Sequence, residues 1–190
     1  MNDIPTQLFK SQKSWAIWLD KNHSKSSGLW LKIAKKDSGL KSVSYAEALE
    51  TALCYGWIDG QKNPFDDLMW LQKFTPRGAK SIWSKINREK VLALTKKGGM
   101  KPAGLKAAEN AKQNGRWEAA YDSQSKAVIP EDFKAELDRS KKAKKFFETL
   151  NSANRYAILF RIHHAKKAET RAKKIQDFIE MLKKGEKLHP

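Results

Sequence analysis

The residues whose types and spacing could do chemistry gather in residues 52–87, ALCYGWIDGQKNPFDDLMWLQKFTPRGAKSIWSKIN. Within it, FTPRGAKS brings Arg77, Lys80 and Ser81 together at a Pro-Arg-Gly bend, with Ser84 close behind and a helical pattern following. The first turn of a helix has unpaired N–H groups and the positive end of the dipole, so it attracts anions. Arg77 and Lys80 add charge there, and Ser81 and Ser84 add hydroxyls, for a phosphate, sulfate or carboxylate. The spacing is not that of a P-loop, because Gly78 and Lys80 are not adjacent and no Gly stands at the required distance upstream. The plainer reading is that Ser84 caps the helix and Arg77 pairs with an acid such as Asp59.

Asp59 sits between Ile58 and Gly60, beside Trp57. A carboxylate in such company can have a raised pKa and act as acid or base, although an ion-pair or turn role is more common. No catalytic residue is assigned. Cys54, the single cysteine, falls near the apolar stripe of a helix with no Lys, Arg or His within a turn, and reads as a buried inert thiol. His163 and His164 lack partners at zinc spacing, and neither a metal nor any other cofactor is expected. Seven tryptophans interleaved with lysine resemble stacking platforms for single-stranded nucleic acid. Trp15, Trp18, Trp57 and Trp70, however, fall at core-like periodicity.

These residues need positioning elements. Trp15, Trp18 and Leu19 give a helix over Gln12–Asn22 one apolar face. Leu29–Lys35 alternates as a half-buried strand does. Ser44 and Glu47 have capping-box spacing at the head of a helix reaching Tyr55, and Gly56 stops it. Trp57–Lys62 and Leu68–Phe74 read as two further strands. A helix capped by Ser81 or Ser84 runs to about Lys97, and another starts at Pro102 and ends near Asn114-Gly115. Beyond the polar stretch 117–126 the apolar spacing predicts helices over Pro130–Arg139, Lys141–Leu150, Ser152–Ala165 and Lys167–Lys184. The expected class is α+β: a small antiparallel sheet of about three strands packed with helices, then an all-helical C-terminal region. The expected division is 1–117, a connector at 118–129, and 130–190.

The chain has 190 residues and is 40% hydrophobic, which suits a folded core and excludes a disordered chain. Its net charge of +17 is mostly lysine and is densest in the last fifty residues. A polyanion is a reasonable partner for such a surface, though solvated lysine faces are common. A nucleic-acid binder would place Lys166, Lys167, Arg171, Lys173 and Lys174 on phosphates. The first residues show no secretory leader and no segment is apolar enough to span a bilayer, so a soluble, cytoplasmic protein is expected.

Five stretches taken together resemble the YdeI/OmpD-associated bacteriocin-protection family: ALCYGWIDG, FTPRGAKSIWSKIN, GGMKPAG, AKQNGRW and AKKAETRAKKI. The resemblance extends over nearly the whole chain. It marks Gly56, Trp57, Asp59 and Gly60 in the first, Arg77, Ser81, Trp83, Ser84 and Asn87 in the second, and Glu169, Thr170 and Arg171 in the last. It implies a role in protection against bacteriocins or antimicrobial peptides, or in stress, and association with an outer-membrane porin. It supplies no catalytic residue. A cationic chain attracts a cationic peptide poorly, so direct sequestration is not expected. The reading that results is a non-enzymatic anion-binding protein contacting its ligand through Arg77, Lys80, Ser81 and Ser84, with Asn87, Asp59, Trp57 and Trp83 around them. The rivals are a nucleic-acid binder and an enzyme on an anionic small molecule with Asp59 as acid or base.

Overall fold

Local signals account for most of the element ends. In the computed structural model, which describes residues 4–190, Ser11 caps the helix α1 (Gln12–Asn22) by accepting the N–H of Ser14. The first three residues of the N-terminal lead-in lie outside the described residues. Ser44 and Glu47 form the expected reciprocal box at the head of α2 (Tyr45–Cys54). Gly56, at φ 73°, reverses the chain after that helix. Between these helices runs β2 (Leu29–Ala34), with Leu29, Leu31 and Ile33 buried and the alternate residues half-buried. After α2 come β3 (Trp57–Pro64) and β4 (Met69–Pro76), then α3 (Lys85–Lys96) and α4 (Pro102–Gln113).

The class is α+β, but the sheet has four strands and is mixed. Its order is β1-β2-β4-β3, where β1 (Thr6–Leu8) runs parallel to β2 and the other pairs are antiparallel. The expectation of about three antiparallel strands misses β1. Three residues are too few to display a period of two, and β1 exists because Thr6, Gln7 and Leu8 pair with Trp30, Leu31 and Lys32. The register of β3 on β4 shifts between Asp59 and Lys62. The buried amide of Gln72 covers that irregularity, donating to the carbonyls of Gly60 (3.0 Å) and Gln61 (3.2 Å). This is how a bulge avoids stranded acceptors.

Helices α1 and α2 cover the sheet face bearing Leu29, Leu31, Phe74 and Trp57, and Trp15 and Leu19 fill the centre. The indole N–H groups of Trp15 and Trp57 donate to Ala48 O (3.1 Å) and His23 O (3.0 Å), so both rings are buried without an orphaned donor. Trp18 and Trp70 pack only partly against this core.

The chain divides into two compact units, Met1–Ala120 and Tyr121–Pro190. The second holds a 3-10 turn at Gln124–Lys126 and four helices: α5 (Glu131–Arg139), α6 (Lys141–Thr149), α7 (Ser152–His163) and α8 (Ala168–Lys183). Its own core is built from Phe133, Leu137, Phe147, Ile158, Ile162 and Leu182. No helix among the described residues is long and apolar enough to cross a membrane.

Candidate functional site

The Pro-Arg-Gly bend does not run straight into a helix. Pro76 ends β4, and α3 begins only at Lys85, leaving the segment between as a loop. Ser84 is the cap, its hydroxyl accepting the N–H of Asn87 at 3.1 Å. The loop is held at its start by Arg77 N–H donating to Gly56 O (2.9 Å), which prolongs the β3–β4 pairing by one step.

This loop and the C-terminal half of α4 enclose a cavity of about 100 Å³. Its lining includes Arg77, Ser81, Trp83, Asn110, Asn114 and Arg116. The Arg77 guanidinium lies over Trp83, its Cζ 3.7 Å from the ring centroid, and Nη1 donates to Ile82 O at 2.9 Å. Trp83 is 3% exposed and rests on Trp117, with ring centroids 4.9 Å apart. Arg88 Nη1 in turn holds Trp117 O at 3.0 Å. Stacking and a carbonyl together fix the plane of the Arg77 fork before any ligand arrives, and a planar fork loses less freedom per bond than a lysine would. Arg116 reaches the cavity from the turn after α4, where its N–H donates to Asn114 Oδ1 (3.2 Å) and Gly115 takes φ 72°.

The cavity is therefore lined by two arginines, one serine and two asparagines, and by no carboxylate among the described residues. Its volume exceeds the roughly 10–15 Å³ that one water needs, and leaves room for a phosphate, sulfate or carboxylate group. Working against an anion is the C-terminal end of α4, whose dipole is negative there. The two formal charges outweigh a dipole end equivalent to about half a charge.

Of the residues singled out from sequence, Arg77, Ser81 and Trp83 meet at this cavity, while Lys80 is exposed and outside its lining. Asn87 is buried in the first turn of α3. Trp57 belongs to the core, 6.2 Å from Trp15 and 5.8 Å from Trp18 between ring centroids. The Asp59 carboxylate accepts a hydrogen bond from the Tyr45 hydroxyl at 2.7 Å and does not line the cavity. Asn110, Asn114 and Arg116 escaped notice as site residues. The signal was the Asn-Gly-Arg turn inside AKQNGRW, which read as a helix end and as one stretch of the family resemblance, not as part of a site.

In the second unit Lys166, Lys167 and Lys173 are exposed and Lys174 is half-buried. Arg171 is engaged at home: its Nε and Nη2 hold both oxygens of Asp132 (2.5 and 2.9 Å), and Nη1 donates to Ile162 O (2.8 Å). That pairing pulls the Asp132 carboxyl below its usual range and leaves the fork little to offer a phosphate. Burial pushes the Cys54 thiol up, with a further push from Glu50, so it carries no thiolate for chemistry. No group of His, Cys, Asp and Glu suited to a metal ion occurs among the described residues.

Residues 7–107 match a family model described as Domain of unknown function (DUF8412). That match spans more than half of the chain. The chain belongs to the DUF8412 family. Residues 126–185 match a second model, described as Bacteriocin-protection, YdeI or OmpD-Associated, so the resemblance read from the sequence is shown for this C-terminal segment. Its motif AKKAETRAKKI lies inside the match, whereas GWIDG and FTPRGAKSIWSKIN lie within the DUF8412 match. No curated protein and no solved structure matches the chain.

Proposed function

We propose that the first compact unit binds a small oxyanion, free or as the terminal group of a metabolite, without turning it over. The protein then serves bacteriocin protection or a stress response indirectly, through that ligand. One observation carries the reading: Arg77 and Arg116, far apart in sequence, line a single cavity with Ser81, Asn110 and Asn114 and with no carboxylate among the described residues. Among the described residues the cavity lacks a group placed as general base, and Asp59 is bonded to Tyr45, which favours binding over catalysis. A role in protection rests on the description of the family matched by residues 126–185. With a net charge of +17 the chain repels cationic peptides, which supports an indirect role.

The test is calorimetric titration of the full chain with inorganic phosphate and with sulfate. Arg116→Gln and Arg77→Ala are each expected to weaken binding about tenfold or more, the usual loss for a hydrogen bond to a charged group. Arg77 also packs on Trp83, so Arg116→Gln is the cleaner variant. Parent-like affinity in both, or no binding by the parent, defeats the proposal.

A further inference from the structure

Where β2 leaves the sheet and the β3–β4 hairpin turns, Lys35, Lys36, Lys62, Asn63, Pro64 and Trp70 line an open groove of about 560 Å³. No carboxylate among the described residues lines it. Its one large ring, Trp70, carries the Lys62 ammonium over its face, 4.3 Å from the centroid, and is braced by Tyr45 at 6.0 Å. The hairpin tip repeats the arrangement: Phe65 is 46% exposed, and Lys32 Nζ stands 4.1 Å from its centroid. The nearby acid Asp66 is exposed, and its Oδ1 accepts the N–H groups of Leu68 (2.8 Å) and Met69 (2.6 Å). Its backbone carbonyl, meanwhile, takes the Lys35 ammonium at 2.8 Å. Asp37 and Asp67, both exposed, temper the positive field without lining the groove.

We infer that this end of the sheet binds single-stranded nucleic acid. An aromatic face with an ammonium over it offers both things a single strand needs. A base stacks on the ring, and the displaced ammonium moves to the flanking phosphate. A duplex keeps its bases inside and would use the lysines alone. An anionic membrane fits worse, because Asp66 and Asp67 at the tip would have to enter its headgroup layer. The groove is built from residues other than those of the anion cavity, and the inference does not depend on the function proposed above.

The test is fluorescence anisotropy of a labelled thymidine oligomer of about ten nucleotides with the full chain, from about 50 to about 200 mM salt. Binding that weakens with salt is expected. Trp70→Ala and Phe65→Ala are each expected to weaken it about tenfold, the loss of one stacked base. Lys36→Gln with Lys62→Gln should lower the slope of log K against log salt by about 1.4. Phe65 is on the surface, so its variant keeps the test decisive if Trp70→Ala does not fold. Arg116→Gln should bind the oligomer as the parent does. The inference is overturned by no binding at the lowest salt, or by ring variants within about twofold of the parent. Equal affinity for a duplex of the same length also overturns it, as does binding to phosphatidylserine vesicles without binding to the oligomer.

Discussion

His164 closes α7, and its Nδ1 donates to Phe160 O at 2.8 Å, which leaves Nε2 with the lone pair. That nitrogen is buried and has no hydrogen-bond partner among the described residues. Burial holds the imidazole below its usual value of 6.5, and His163 and Lys166 push the same way. A depressed value in the fold means that the unfolded chain takes up the proton first as pH falls. The second unit is therefore expected to lose stability from about pH 6.5 downward, and His164→Phe should flatten that slope in far-UV melts at pH 7.5, 6.5 and 5.5. A parent whose melting temperature is level across those three values would contradict it. Asp132 adds a second acid-side loss in a separate window, below its usual 3.8, because Arg171 lowers its carboxyl in the fold. Both partners are partly exposed, so that loss belongs to the range of about 0–1 kcal/mol for surface pairs. Residue-scale chemistry of this kind was half legible. The inert Cys54 followed from its neighbours in sequence, whereas the burial of His164 depends on Tyr121 and Phe160 packing around it.

Helix α4 positions half of the anion cavity, and it rests on α2 through bare backbone. A Cβ built on Gly104 would stand 2.3 Å from Cys54 O and 2.7 Å from Leu53 O. Gly56, beside it, approaches Ala103 O in the same manner, at 2.8 Å. In an isolated helix Gly104→Ala would be favourable by about 1 kcal/mol. Here overpacking reverses the sign, and we expect a net loss of about 1–3 kcal/mol in chemical denaturation. The same shift should loosen Asn110, Asn114 and Arg116 and weaken phosphate binding. An unchanged denaturation midpoint would mean that α4 does not sit on α2 in this way. Helix starts were readable because a cap is made within one turn of the residue that supplies it, as Ser44 and Glu47 do. The strand β1 was not, because its hydrogen bonds are supplied by a distant strand.

At the scale of the molecule, the two units have separate cores, and all seven tryptophans precede Tyr121. Indole fluorescence thus reports the first unit, while far-UV dichroism reports both. Phe133 is fully buried in the second core and meets Phe147 edge-on at 5.6 Å between centroids. Phe133→Ala is expected to cost the helical transition about 3–5 kcal/mol while moving the tryptophan transition far less. Equal shifts of both signals would show a single cooperative fold. Charge follows another logic: the lysines spread over both units, and the basic C-terminal run is partly absorbed by pairs such as Arg171 with Asp132.

The amino-acid sequence by itself determined the order of helices, nearly all of their ends, the alternation of β2 and the α+β class. Each of these is settled by groups a few residues apart, through caps, turns and side-chain period. Only the tertiary structure decided that Arg77 shares a cavity with Arg116, that Asp59 answers to Tyr45, and that the sheet is mixed. Those meetings come from chain closure over long separations, where a glycine's missing side chain lets two helices touch. Such an encounter leaves no periodic trace along the chain.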